Sequence, residues 1–363
     1  MDYGILQSGT RYAAKHSTDR RMLNQYLTIT SFLKILIFSG IILTFAIVAI
    51  AVPQVKLHFW VYFWALFSAA ISCLFPLWLF QGLLIVPKAA KILVATRFLA
   101  AGAAISLIRS PSDTYIVPMT QSLAALISLI LAANLINRSL SFRLVRVTVV
   151  EIQALAHDNW KLFSATTWGI IHTYGSIIII GVMLPTQSVG FYSIAERISQ
   201  AFVSFFNIAA QTTFPTLVRR FARSDERFSS TIKVYLLAVT VISLLALSVA
   251  FLARSHIYYF FAGQGSVAGL TVFTIWLFAS FFTVICVTLT PVMIAMNRDS
   301  NLASIYRFTG ITFLITAPFL VYFYGVVGMA VAALYPQCFM GLYLLIVVNR
   351  SLKKTHCSTP VVV

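Results

Sequence analysis

Long apolar runs alternate with short polar segments along almost the whole chain. Runs of about the length needed to cross a bilayer fall at 28–52, 59–84, 88–109, 113–137 and 161–184, then at 187–216, 232–253, 267–295, 305–324 and 326–348. They do not alternate residue by residue in ten-residue units, as strands of a membrane barrel would. In lipid the backbone must satisfy its own hydrogen bonds, so unbroken apolar runs read as helices. The pattern predicts an all-α polytopic membrane protein of about ten transmembrane helices. Pro76, Pro118, Pro291, Pro318 and Pro336 lie inside the runs and are expected to kink them.

The polar segments between the runs set an orientation. Lysine and arginine collect in every second segment: Arg11 to Arg21, Lys88 and Lys91, Arg138 to Lys161, Arg219 to Lys233, Arg298 and Arg307, and Arg350 to Lys354. The alternate segments hold only Lys56, Arg109 and Arg254. By the positive-inside rule the rich side is cytoplasmic, and both termini lie there. The longest such segment divides the chain into an N-terminal lobe of four spans (1–137), a cytoplasmic linker (138–160), a C-terminal lobe of six spans (161–349) and a cytoplasmic tail (350–363). In the linker, valines and Leu144 alternate with Arg143 and Arg146, and 150–160 could form a short interfacial amphipathic helix.

Composition agrees with a lipid-covered surface. Hydrophobic residues make up 60% of the chain and charged residues 10%, against about 25% charged in soluble domains. The net charge of +17 is dispersed among loops and forms no continuous basic face, which argues against nucleic acid as a partner. Cys73, Cys286, Cys338 and Cys357 are far apart and the histidines are scattered, so neither a disulfide framework nor a metal site is expected. A phosphate-binding GxxxxGK[ST] loop is absent, and no nucleophile or acid–base pair has a catalytic setting. Neither an enzyme nor a cofactor is expected. Gly263, Gly265 and Gly269 read as a flexible external loop.

A charge inside a span costs about 2.5–3.5 kcal/mol on insertion scales and needs a reason. Lys34, Arg97, Glu196 and Arg197 are such charges. In 187–216, Ser193, Arg197, Gln200, Ser204, Asn207 and Gln211 recur at steps of three and four, which places them on one helical face. That stripe faces either neighbouring helices, through interhelical hydrogen bonds, or a hydrated cavity. Glu196 lies about 100° away from Arg197 around the helix. It is either an ion-pair partner or a protonatable coupling group. Arg97 and Lys34 either snorkel to the interface or face a cavity. His172 reads as a hydrogen-bonded core residue or, alternatively, a ligand.

Several segments resemble the Wzx-type O-antigen flippases of the polysaccharide-transporter family. They are Phe75-Pro76-Leu77-Trp78-Leu79-Phe80-Gln81-Gly82, Asp2-Tyr3-Gly4 with Ser8, Thr10 and Arg11, and Thr96-Arg97-Phe98-Leu99. In the second half they are Val189 to Ser193, Ala195-Glu196-Arg197-Ile198 and Phe214-Pro215-Thr216-Leu217. The first run is fairly specific, the others are individually weak, and together they cover essentially the whole chain.

The resemblance implies a MATE-like twelve-helix fold, shared with multidrug-and-toxin extruders, in two lobes around an inward-facing cavity. It implies as substrate an oligosaccharide on undecaprenyl pyrophosphate, flipped across the bacterial inner membrane by alternating access for lipopolysaccharide assembly. Membrane lipids are implied partners, and the O-antigen polymerase machinery is a candidate one. Carried onto this chain, Arg97 and Arg197 become the pyrophosphate partners, with Lys34 a third. Gln200, Asn207 and Gln211 become sugar contacts, and Glu196 the ion-coupling residue. In the family pattern Asp-Tyr-Gly closes the second span, whereas here it opens the chain. The first lobe is therefore expected to keep four helices (four plus six in all), and an inactive truncated remnant is one alternative. A multidrug or toxin antiporter is another, although such a carrier favours carboxylates in its lumen.

Overall fold

In the computed structural model, residues 2–51, 53–140, 145–223, 227–263 and 267–357 are described. Arg143, Leu144 and Gly265 lie outside them. The chain folds into two compact units, Met1–Trp160 and Lys161–Val363.

The first unit opens with α1 (Ile5–Lys15), α2 (Arg20–Ala51), the short α3 (Pro53–Leu57), α4 (Phe59–Leu74) and α5 (Leu77–Gly82). It continues with α6 (Val86–Leu107), a 3-10 turn at Pro111–Tyr115, α7 (Ile116–Leu140) and the first turns of α8 (Val149–Met183). The second unit holds the rest of α8, then α9 (Thr186–Ala222), α10 (Arg227–Leu252), α11 (Arg254–Ala262), α12 (Val267–Ala295) and α13 (Asp299–Cys357).

Nine helical stretches among the described residues are long and apolar enough to cross a membrane. α13 has 59 residues, about 88 Å at 1.5 Å per residue, far more than a hydrocarbon core of about 30 Å. It bends at Gly325, whose φ of 58° and ψ of −137° no helix contains. Its two arms, either side of that turn, correspond to the runs at 305–324 and 326–348, so the ten apolar runs each have a helix. The protein is an all-α, multi-pass membrane protein. Large apolar side chains such as Leu36, Leu43, Ile47 and Ile50 on α2 are exposed, as a lipid-facing surface requires.

The polar start of the chain contains α1, an amphipathic helix that buries Ile5, Gly9, Ala13 and Ala14. Three local expectations are corrected. Pro118 sits in the first turn of α7, where its missing N–H costs nothing, and does not kink a span. Residues 150–160 are not a separate helix but the start of the 35-residue α8. Gly269 belongs to α12, not to a loop, and packs under the Tyr258 hydroxyl with no room for a Cβ.

The core of the second unit forms around α12, which buries Phe273, Trp276, Ala279, Val284 and Leu289 along its length. α9, α10 and α13 pack against it. In the first unit the core lies at the α4–α5 break. Phe75 and Pro76 end α4, and Trp78, Leu79 and Phe80 of α5 are almost completely buried. α1 lies against them, with the Trp78 ring directly over Gly9, and the Tyr26 ring of α2 meets Trp78 edge-on at 5.3 Å.

Candidate functional site

Two chemically distinct surfaces come out of this packing, one in each unit. In the first unit, α4, α6 and α7 enclose a cavity of about 780 Å³. Alanines make the room: Ala100, Ala101 and Ala104 on α6 face Ala124 and Ala125 on α7 across it. Ser68 and Ser72 of α4 and Thr120 and Gln121 of α7 supply polar groups to the wall. At the back the Thr96 and Ser128 hydroxyls meet at 2.6 Å and tie α6 to α7. Phe75 and Leu77, at the break between α4 and α5, contribute its apolar side.

Arg97 lines this cavity. Its side chain is exposed and makes no hydrogen bond or ion pair with another described residue. No carboxylate is among the described lining residues. Of the two readings of Arg97, the geometry favours the cavity: among the described residues its guanidinium is the one full charge on a wall of hydroxyl, amide and methyl groups. Such a site has donors to spare for a polyanionic or hydroxyl-rich ligand.

Lys34 has a different setting. It is buried, and its Nζ donates to the carbonyl of Cys73 at 2.8 Å and pairs with Asp2 Oδ1 at 2.9 Å. The second Asp2 oxygen accepts the Leu6 N–H at 2.6 Å, in the first turn of α1. Lys34 does not snorkel, and it is not among the lining residues of the cavity that holds Arg97. Its charge is committed to holding α1, α2 and the end of α4 together.

In the second unit α9 is two-faced. Tyr192, Ala195, Val203, Phe206, Ala210 and Phe214 are buried on one side. Arg197, Gln200, Ser204 and Asn207 are exposed on the other, with Ser193 and Gln211 half-buried at the ends of the row. Gln211 donates to the Asn207 side-chain oxygen at 3.1 Å, and Ser204 donates to the carbonyl of Gln200. These two bonds run along the helix itself. Glu196 is 5% exposed and sits on the buried side with Tyr192, whose ring meets Trp276 edge-on. No described cation lies within ion-pair distance of it. His172 is half-exposed at most and packs its ring against Phe313, as a core residue does. Among the described residues no cluster of three potential metal ligands occurs.

Ser68, Ser72, Thr120 and Gln121 escaped the sequence reading. Ser68 and Ser72 repeat at a helical step of four, but serine and threonine are common inside spans, so the spacing alone has little force.

Comparison with known proteins bears on the whole chain. The family model described as "Polysaccharide biosynthesis protein" matches residues 1–221. The chain belongs to the polysaccharide biosynthesis protein family. A provisionally named O-antigen transporter of Shigella dysenteriae is 22% identical over 351 residues, covering 95% of this chain and 86% of that protein. Another, of Escherichia coli, is 23% identical over 60% of this chain and 52% of its own length. The fold of this family member is that of the MATE transporters. A multidrug resistance MATE transporter in an outward-facing conformation superposes with a TM-score of 0.80 at 11% identity, over 99% of this chain and 85% of that one. The Vibrio cholerae MATE transporter VcmN in its bent form gives 0.77 at 12%, over 98% and 85%. The Wzx resemblance read from the motifs and the twelve-helix superfamily it implied are both consistent with these relatives.

Proposed function

We propose that the protein is a flippase for an oligosaccharide carried on undecaprenyl pyrophosphate, working at the bacterial inner membrane with both termini in the cytoplasm. The observation that carries the reading is the first unit's cavity: one uncommitted arginine among hydroxyls and an amide, with no described carboxylate. A pyrophosphate needs a cation, and sugar hydroxyls need donors and acceptors. A carrier of organic cations would need the opposite charge, which weakens the antiporter reading. Family membership and relatives named as O-antigen transporters support the same substrate class.

In this mechanism no bond of the substrate is made or broken. The head group leaves the cytoplasmic interface and exchanges water for a guanidinium, with Arg97 and Arg197 as the candidate cations. Gln200, Asn207 and Gln211 offer amides to the sugars along the exposed face of α9. The polyprenyl chain stays in lipid, and the units rock to open the site outward, the general logic of repeat-built carriers. Glu196, a carboxylate near the stripe but turned into the core, is the coupling group.

The test is rescue of surface O-antigen in a strain that lacks its flippase but makes the cognate lipid-linked unit. Expression of this chain is expected to restore the polysaccharide ladder. Arg97→Ala and Arg197→Ala are each expected to lower it at least about tenfold at unchanged membrane levels, as loss of a charge-assisted contact predicts. Full surface polysaccharide in both variants would sink the assignment.

A further inference from the structure

A second cavity, of about 650 Å³, lies between the last turns of α9 and the first turns of α10. Thr212, Thr216 and Arg220 line it from α9, and Arg227, Thr231 and Tyr235 from α10. It is separate from the Arg97 cavity, which is in the other unit, and from the polar stripe. On α9, Thr212 and Thr216 lie more than 90° around the helix from Gln211, where the stripe ends.

The chemistry of this wall is one-sided. It carries two guanidinium groups, and no acidic side chain is among its described lining residues. Arg220 donates to the Thr231 hydroxyl, which donates in turn to the carbonyl of Arg227, so this corner is arranged in advance. Two further hydroxyls face this wall: Thr216, which makes no hydrogen bond to a described residue, and Tyr235, which is half-buried beside Thr213. Guanidinium forks with flanking hydroxyls match the tetrahedral oxygens of a phosphoryl group.

Part of the wall is apolar. Val234 and Ala238 of α10, on either side of Tyr235 in the chain, contribute it, and Val234 is 67% exposed. A cationic end that passes into an exposed apolar strip suits an amphiphile better than a soluble ion. The positive-inside rule explains why cations gather at this end of the unit, but it requires neither a cavity nor a row of hydroxyls beside them.

We propose that this cavity binds the phosphoryl group of an anionic amphiphile, with Arg220, Arg227, Thr216 and Tyr235 on the phosphoryl oxygens and the acyl portion along Val234 and Ala238. The site stands whether or not the sugar-lipid substrate does.

The experiment is native mass spectrometry and thermal unfolding of the purified full chain in detergent micelles. It is titrated with phosphatidic acid, with diacylglycerol as the same lipid lacking phosphate, and with inorganic pyrophosphate. Phosphatidic acid is expected to bind and stabilise, and diacylglycerol to do neither. Arg220→Gln/Arg227→Gln should weaken binding at least about tenfold, and Arg223→Gln, outside the cavity, less than about twofold. Thr216→Val/Tyr235→Phe removes no charge and should weaken it by about threefold or more; it decides the matter if the arginine variant does not fold. Equal loss in Arg223→Gln, or none in Thr216→Val/Tyr235→Phe, would reduce the cavity to a nonspecific basic patch and overturn the proposal. Binding of pyrophosphate without phosphatidic acid would keep a phosphoryl site but overturn the amphiphile.

Discussion

The pair Lys34–Asp2 shows how much a single residue's role depends on what folding brings to it. Lys34 is 6% exposed, while the Asp2 side chain is 41% exposed, so the two partners do not lose equally when the other is removed. Asp2→Asn keeps an oxygen for the Leu6 N–H but leaves a buried ammonium with only the Cys73 carbonyl. Removal of one partner from a buried pair costs about 3–5 kcal/mol, and the exposure of Asp2 puts the expected loss at the low end, about 3 kcal/mol. Lys34→Met leaves a carboxylate that water can reach, for a loss of about 1 kcal/mol. Denaturant unfolding in micelles should therefore rank Asp2→Asn below Lys34→Met, with the double variant close to Lys34→Met. The reverse order would mean that Lys34 is not the buried member. The family resemblance makes Lys34 a third candidate for pyrophosphate, whereas folding supplies its counter-charge from within the chain. That counter-charge stands 32 residues away in a loop, where no helical periodicity points to it. Arg97 and the face of α9 were legible because their signal is local: one charge in an apolar run, and a step of three and four.

At the level of elements, two of the segments that carry the family resemblance, the start of the chain and the run at 75–82, turn out to pack on one another. Thr10 of α1 donates to the Gln81 side-chain oxygen, and the Ser8 hydroxyl lies 3.3 Å from that of Tyr26. A Cβ on Gly82 would stand 2.4 Å from that of Ala13. The FPLWLFQG run thus builds the break between α4 and α5 and the seat for α1, and only Phe75 and Leu77 reach the cavity. A strong motif had marked an architectural joint, whereas the cavity wall of serines, threonine and alanines carried no motif at all. The turn in α13 makes a similar test. Gly325 occupies a region of φ and ψ that is essentially closed to other residues, and a Cβ on Gly328 would lie 1.9 Å from the Leu320 carbonyl oxygen. Gly325→Ala should cost about 1–3 kcal/mol and lower the melting temperature in micelles. Gly102→Ala, in the interior of α6 with nothing within 4 Å of the new methyl, should leave it unchanged or raise it. Equal behaviour of the two would show that the hairpin does not depend on that turn.

For the whole molecule the open physical question is orientation, which ten hydrophobic helices do not decide for themselves. Helices of either direction bury the same apolar surface in lipid, so the choice falls to the charges that flank them. Cationic segments are retained on the cytoplasmic side, and short loops obey this most strictly. Here the contrast is between 20 lysines and arginines in one set of segments and three in the other. It alternates through every span in turn, including the arms of α13 on either side of Gly325. A single miscounted span would invert every later segment and destroy the alternation, so span count and orientation stand or fall together. Both can be read with single cysteines placed in a variant lacking Cys73, Cys286, Cys338 and Cys357. Lys56→Cys and Arg109→Cys, exposed in the structure, are expected to react with a membrane-impermeant maleimide in intact spheroplasts. Arg223→Cys and Arg298→Cys, equally exposed, should react only after the membrane is opened. If all four follow this pattern, the cavity between α9 and α10 faces the cytoplasmic leaflet, where anionic lipid and a newly made sugar-lipid would both reach it. If Arg223→Cys labels from outside while Lys56→Cys does too, a span between them has been misassigned, and the direction of transport must be reconsidered before any residue's role in it.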